Sequence, residues 1–407
     1  MAVLWLVLLA GLPVFFLGVL VWAVLEHFRT AQVPRVLQHR AKVRFLHCML
    51  LYTMAVGNIL EKLRICSMPR FLRFLQDRVT IKNNREVVVT DLRFGTIPVR
   101  LFRPKATSSS LRRGILFYHG GGSMFGSLDS YHNLCSFLAR ETDSVLLSVG
   151  YRKAPEHHSP VAVTDCLNAS IYFLKTLEAY GVDPSRVVAC GESFGGGIVA
   201  AITQTLVGRT DLPQIRAQVL IYPFTQAINL QLPSYQQKSN VPFLSLQLML
   251  TCMCSYLAID VSWKDAMLKG ACIPRDFWDK HRKWLSSDNL PKRFRSKDQQ
   301  PETLAPFNEA AYLETKHILD VDNVPLIAED KIIAQLPEAF LVTCEVDIVR
   351  DDSLLYKKRL EDQGVRVTWY HVEDGFHGCL LLFDKMVLSF PCSLNIMNAV
   401  VSYVKGL

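Results

Sequence analysis

Apolar and polar positions change rhythm three times along this chain. Ala2–Leu25 holds no charged residue and is rich in Leu, Val, Phe and Trp. At a rise of about 1.5 Å per residue it can cross a hydrocarbon core of roughly 30 Å, which predicts an N-terminal transmembrane helix. A cleaved signal peptide would carry a shorter apolar core behind a basic start, then a small-residue cleavage site. Here Trp22-Ala23-Val24-Leu25 runs directly into Glu26 and His27, so an uncleaved signal-anchor is expected. Phe45–Leu60 also lacks charge but is interrupted by His47, Thr53, Gly57 and Asn58. That length is marginal for a span, and it predicts a helix lying on the membrane or over an active site.

From Glu86 the period shortens. Val87–Phe94 and Ile97–Phe102 predict a hairpin around Gly95-Thr96, and Gly114–Tyr118 and Ser144–Val149 predict buried strands. Ala162, Cys166, Ala169 and Phe173 carry helical spacing over Val161–Tyr180, closed by Gly181. Further strands are expected at Gln218–Tyr222, Ala339–Cys344 and Val365–His371, with helices over Asp351–Gln363 and down to Lys405. Alternation of this kind means an α/β fold with a mainly parallel central sheet flanked by helices. About Thr225–Gln335 breaks the rhythm and predicts a helical cap insertion, amphipathic near Leu244–Leu257. The expected organisation is an anchor over 1–25, a linker with cap helices over 26–85, and a catalytic domain over 86–407.

Composition narrows the class. The 407 residues are half apolar, one fifth charged and formally +8, a globular balance with no nucleic-acid module. Basic residues concentrate between Lys280 and Lys297, a solvated loop or a headgroup contact in which Trp284 and Phe294 insert. Eleven scattered cysteines, with no Cys-x-x-Cys pair, suggest buried apolar side chains and neither a disulfide framework nor a metal site. No metal or cofactor is expected.

The chemistry centres on Val187–Ala201, where an apolar strand ends in Gly191-Glu192-Ser193-Phe194-Gly195 and leads into a helix. A strand–turn–helix with serine at its apex forces a strained backbone and exposes the hydroxyl above the sheet. Gly191 and Gly195 are expected because a side chain at either would collide with the neighbouring strand or helix. A serine needs a base, and partners in a parallel sheet belong on loops at the strands' C-terminal ends. His377, within Asp374-Gly375-Phe376-His377-Gly378, and Asp347, past Ala339–Cys344, occupy such loops. His377 would act as base then acid, with Asp347 orienting it. Asp351 and Asp352 are better explained as caps where a helix begins, and His371 as structural. Gly120, Gly121 and Gly122 after His119, with the Phe194 amide, can supply oxyanion donors.

With these residues in view, the chain resembles the arylacetamide deacetylase family, in the hormone-sensitive-lipase branch of the α/β-hydrolases. The carrying residues are His119-Gly120-Gly121-Gly122, Tyr151-Arg152-Lys153-Ala154-Pro155-Glu156-His157, the Ser193 pentapeptide with Gly196, Asp347 with Arg350-Asp351-Asp352, and Asp374–Gly378. The anchor and Pro325-Leu326-Ile327-Ala328 narrow the likeness. The resemblance implies an α/β-hydrolase fold, the triad Ser193, Asp347 and His377, and an oxyanion hole of Gly121, Gly122 and Phe194, with Gly120 supporting the loop. It also implies hydrolysis of esters, lipid esters and some arylamides without a metal. Anchored members are single-pass, with the catalytic domain in the endoplasmic reticulum lumen. Arg29, Arg35, Arg40, Lys42 and Arg44 behind the span, counted alone, favour the cytosol instead.

Two residues depart from the family pattern. Phe194 replaces a small residue, and Ser123-Met124 replaces an aromatic start, so the acyl pocket is expected to be reshaped. The same residues admit two other readings: a lipid-binding scaffold with little turnover, and acyl transfer to an acceptor other than water. Asn168-Ala169-Ser170, the one glycosylation sequon, falls in a predicted helix.

Overall fold

The computed structural model describes every residue except 1, 83–85, 109 and 296–301, and describes no side chains for residues 2–10. Among the described residues one sheet holds eight strands: β1 Val87–Phe94, β2 Ile97–Pro104, β3 Arg112–Tyr118, β4 Ser144–Val149, β5 Val182–Glu192, β6 Ala217–Ile221, β7 Glu338–Val346 and β8 Val367–Phe376. Their order is β1-β2-β4-β3-β5-β6-β7-β8. Only β2 runs against its neighbours, through the Gly95-Thr96 hairpin. The six strands from β3 on pair in parallel, so β5, β7 and β8 deliver their following loops to one end of the sheet.

Helices cover both faces. Helices α5 (Val161–Lys175) and α6 (Phe194–Thr205), with the helix Arg350–Asp362, bury one apolar side. Helix α4 (His132–Glu141) and the C-terminal helix Pro391–Lys405 bury the other. Fully buried strands such as Ser144–Val149 read as unbroken apolar runs for this reason. On α5, Asn168 is exposed while the Ser170 hydroxyl is buried and bonded to Cys166 O and Tyr118.

One strand differs from its expected extent. Val372–Phe376, expected as loop, continues β8. A register shift between Cys344 and Val346 lets Val346 pair with Phe376, so the turn-like Asp374-Gly375 is absorbed into the ladder.

Helix α1 (Ala2–Thr30) runs five residues beyond the apolar stretch, its end held by an Arg29–Glu26 ion pair. It packs along α2 (Arg40–Lys62). Both are long and apolar enough to cross a membrane by length and composition. Helix α2, however, is seated on the domain. Val43, His47 and Gly57 are buried, His47 lies 6.1 Å from the Phe243 ring, and Phe243 stacks on Phe376 at 4.9 Å. Leu50 and Met54 pack with Met68, Leu72, Met124 and Cys252. Thus α2 lies across the loop end of the sheet. Helix α3 (Met68–Val79) follows, with Pro69 in its first turn.

Between β6 and β7 the chain forms short helices, including Leu246–Leu257 and Arg275–Leu285. Here the headgroup insertion expected of Phe294 is contradicted, and Trp284 is half-covered. Phe294 is buried between the Arg293 and Arg350 guanidiniums (4.4 and 4.5 Å), and Trp284 lies under Arg359 at 4.0 Å. The Phe294 ring is thus enclosed within the protein, and Lys297 lies outside the described residues. Nine of the eleven free cysteines are buried.

Candidate active site

Strand β5 hands directly to α6 at Ser193, whose φ of 56° and ψ of −124° are strained for a residue with a side chain. The strain persists because its surroundings leave no alternative. A Cβ on Gly195 would overlap Tyr118 O of β3, and one on Gly191 would overlap Gly195 O. Ser193 N–H donates to Ile221 O at 2.9 Å, which pins the apex to β6.

The structure brings the three expected polar side chains together. Ser193 Oγ lies 2.7 Å from His377 Nε2, and His377 Nδ1 lies 2.9 Å from Asp347 Oδ2. Asp347 Oδ1 also accepts the Val349 N–H at 2.9 Å, fixing the carboxylate plane. With Nδ1 donating to Asp347, Nε2 is left to accept the serine proton. Burial works against a charged His377, yet the charge and hydrogen bond of Asp347 prevail, and its pKa stands above 6.5. Glu192 adds to that pull.

Asp351 and Asp352 have a different partner set from the capping role expected of them. Asp351 Oδ2 accepts Ser234 N–H at 2.7 Å, and Asp352 accepts from Gln226 and Tyr235, each at 2.7 Å. Ser234 Oγ donates to Ile348 O at 2.6 Å. These bonds tie the insertion to the loop that carries Asp347. His371 lies within β8, its Nδ1 2.8 Å from Thr343 Oγ1.

Behind the serine sits a group that sequence reasoning missed. Glu192 is buried, the Tyr131 hydroxyl donates to its Oε1 at close range, and a Cβ on Gly120 would strike that same oxygen. Burial pushes the Glu192 carboxyl up, against the Tyr131 bond and the nearby His377 and Tyr222. The signal was present: a charged residue beside the nucleophile, between two buried neighbours, has to be paired internally. His119 stacks on Tyr151 at 4.4 Å, and the Tyr151 hydroxyl donates to His119 O at 2.8 Å, so the strand end before the glycines is rigid.

Gly121 (φ 107°) and Gly122 (φ 58°) adopt backbone that side chains resist. A Cβ on Gly121 would meet Phe125 at 2.5 Å, and one on Gly122 would meet Cys252 at 2.9 Å. The loop is clamped from outside by α3. Arg73 Nη1 donates to Met124 O (2.8 Å) and Ala154 O (3.3 Å), and its Nη2 reaches both oxygens of Glu156 (3.1 and 3.2 Å). The Phe194 ring leaves the elbow toward the insertion, edge-on to Tyr256 at 4.9 Å and 6.1 Å from Tyr151. Met124 is buried against Met68, Leu72 and Cys252. Ser193 and His377 are only 9% and 6% exposed beneath this cover.

Among the described residues one group, Glu345, His371 and Glu373, could hold a metal ion. Lys238 and Arg350 pair with Glu345, and Arg293 with Glu373, so the surrounding cations oppose a dication there.

The sheet order and the strained elbow define an α/β-hydrolase, and residues 115–277 and 286–381 match the family described as alpha/beta hydrolase fold. Arylacetamide deacetylase-like 4 of Homo sapiens is 70% identical over 407 residues, the whole of both chains. Arylacetamide deacetylase-like 3 of Homo sapiens is 53% identical over 402 residues, 99% of each. Arylacetamide deacetylase of Bos taurus is 39% identical over 312 residues, 75% of this chain and 77% of that one. A thermostable esterase from Pseudomonas putida shares the fold at a TM-score of 0.64 and 21% identity, over 87% of this chain and 96% of that one. The chain belongs to the arylacetamide deacetylase family and is a hydrolase of the esterase type.

Proposed function

We propose that this protein is a membrane-anchored serine hydrolase that cleaves apolar carboxylic esters, lipid esters and arylamides included, through an acyl-enzyme on Ser193. The observation that carries it is the 2.7 Å approach of Ser193 Oγ to His377 Nε2, with Asp347 at 2.9 Å on the far nitrogen. His377 takes the serine proton as Oγ attacks the carbonyl carbon. Asp347 offsets the imidazolium charge, and the amides of Gly121, Gly122 and Phe194 receive the oxyanion. His377 then returns the proton to the leaving alcohol or amine, and water repeats the sequence on the acyl-serine. Gly120 and Glu192 hold the loop from behind. An apolar substrate fits walls made of Phe194, Tyr256 and Met124.

Residues 1–25 are the anchor in this reading, 26–85 link and cover, and 86–407 are the hydrolase domain with its insertion at about 225–335. The protein is single-pass and type II, with the catalytic domain in the endoplasmic reticulum lumen and a role in lipid metabolism. Kinship supports that orientation over the basic flank. An ester panel graded by acyl length, run on wild type and Ser193→Ala, tests the activity. Hydrolysis lost with Ser193→Ala is expected, and hydrolysis retained by it defeats the reading. A glycan or protease-protection assay in microsomes tests the orientation.

A further inference from the structure

Exposed aliphatic and aromatic side chains are not scattered evenly over the domain. Phe74 is 53% exposed, Ile81 70%, Met386 74% and Val387 80%. Leu63 and Ile65, in the turn between α2 and α3, are equally open. The end of α3 and the segment that carries Met386 and Val387 are distant in sequence but adjacent in space, while Leu63 and Ile65 lie at the far end of α2. Asn133 Nδ2 donates to Ile81 O (2.9 Å) and to Asp384 O (3.5 Å), bringing the end of α3 beside the 384–390 segment. Lys42 of α2 donates to Ser389 O and lies 4.4 Å over the Phe390 ring. Phe390 in turn packs edge-on against Phe376, the residue before His377.

Helix α3 and the 384–390 segment therefore flank α2 at the loop end of the sheet, where Phe390 meets Phe376 beside His377. The exposed charges of this rim are mostly basic: Lys62, Arg64, Arg70, Arg78 and Lys82 outnumber Glu61 and Asp384, Arg70 pairs with Glu156 at 3.7 Å, and Arg78 lies 4.9 Å over the Phe74 ring. Apolar side chains interleaved with arginines suit a phospholipid interface, where the chains enter the acyl boundary and the guanidiniums stay with the phosphates. The rim is also continuous with α1, which packs along α2 and is apolar enough to enter the same bilayer. Exposed apolar side chains grouped on these segments mark an interaction surface more than a water-facing one.

We propose that this rim, formed by the α2–α3 turn, α3 and the 384–390 segment, is a second bilayer contact besides the anchor. It seats the domain with its active-site end against the membrane, so that apolar esters reach Ser193 from the lipid past α2. The lipid contact rests on surface alone. The route to Ser193 rests on the hydrolase reading above, and the two are tested separately.

The full-length protein in phosphatidylcholine–phosphatidylserine nanodiscs is spin-labelled at Val387→Cys, at Phe74→Cys and, as a reference, at Leu111→Cys. Leu111 is 48% exposed and precedes β3 at the opposite end of the sheet. Unsubstituted protein gives the background from native cysteines. Labels at 387 and 74 should collide with oxygen and be shielded from an aqueous nickel chelate, while the label at 111 shows the reverse. Equal chelate access at 387 and 111 overturns the proposal and leaves the rim to a protein partner. Met386→Asp/Val387→Asp then tests the route. Hydrolysis of a water-soluble short-chain ester should stay near wild type, while that of a long-chain ester held in vesicles falls about tenfold or more. Equal loss on both esters would overturn the route. If wild type cleaves neither ester, the hydrolase reading fails while the nitroxide depths still decide the contact.

Discussion

Asp347 approaches His377 with one oxygen, Oδ2 at 2.9 Å from Nδ1, and holds its own loop with the other, Oδ1 at 2.9 Å from the Val349 amide. One carboxylate thus sets both the tautomer of the base and the plane in which it is offered. Asp347→Asn keeps the size but can present an N–H to Nδ1, which favours the wrong tautomer. Turnover on a soluble ester should fall about 10³–10⁴-fold with little change in KM. Steady-state kinetics on folded variant checks this.

The same pair fixes the pH dependence. His377 must be neutral to accept the serine proton, and its pKa is raised above 6.5 because Asp347 outweighs the cost of burial. As pH rises the imidazolium is lost, so kcat/KM should climb along a limb centred above 6.5. In Asp347→Asn the residual activity should show that limb moved to lower pH, since burial then acts with less opposition. A limb unmoved by the substitution would mean another group is titrating.

Phe194 closes the pocket wall with Tyr256 at 4.9 Å. Phe194→Ala removes the ring and keeps the amide. We expect kcat/KM for branched or aromatic acyl groups to rise about tenfold relative to acetate esters. No change in that ratio would place the acyl chain elsewhere.

Arg73 reaches the glycine loop from α3 through Met124 O and Ala154 O at 2.8 and 3.3 Å. Arg73→Ala should leave the melting transition of the domain nearly intact but cost kcat about tenfold, through a less ordered oxyanion loop, as a lost charged hydrogen bond would. Arg73→Lys should recover only part, because one ammonium cannot serve both the two carbonyls held by Nη1 and the Glu156 carboxylate held by Nη2.

Glu192 is buried with Tyr131 as its donor. Glu192→Ala strands the Tyr131 hydroxyl and opens a void behind Gly120, so thermal unfolding should show a loss of about 1–3 kcal/mol. Glu192→Gln should lose less.

Short-range features were legible in the chain. The hairpin at Gly95-Thr96, the buried runs of β3 and β4, and the elbow at Ser193 each follow from residues within a dozen positions. The order of Ser193, Asp347 and His377 was readable because each follows a strand end. What escaped depends on partners far apart in sequence. The internal role of Glu192 needs Tyr131, and Asp351 and Asp352 bind Ser234, Gln226 and Tyr235 across more than a hundred residues. Local pattern reads those aspartates as caps because a helix begins beside them. Phe294 looked free for headgroups because the sequence does not reveal that Arg293 and Arg350 enclose it. Strand β8 was cut short for a similar reason: Asp374-Gly375 has turn chemistry, and only the register shift opposite Cys344 keeps it extended.

The central claim is that Ser193 is an activated nucleophile, and a fluorophosphonate probe tests it most directly. Intact mass and peptide mapping of the folded, full-length protein should show one adduct, on Ser193, formed rapidly in wild type, slowed by orders of magnitude in His377→Ala and lost in Ser193→Ala. Folded wild type that takes no label, or a label that persists in Ser193→Ala, would contradict it.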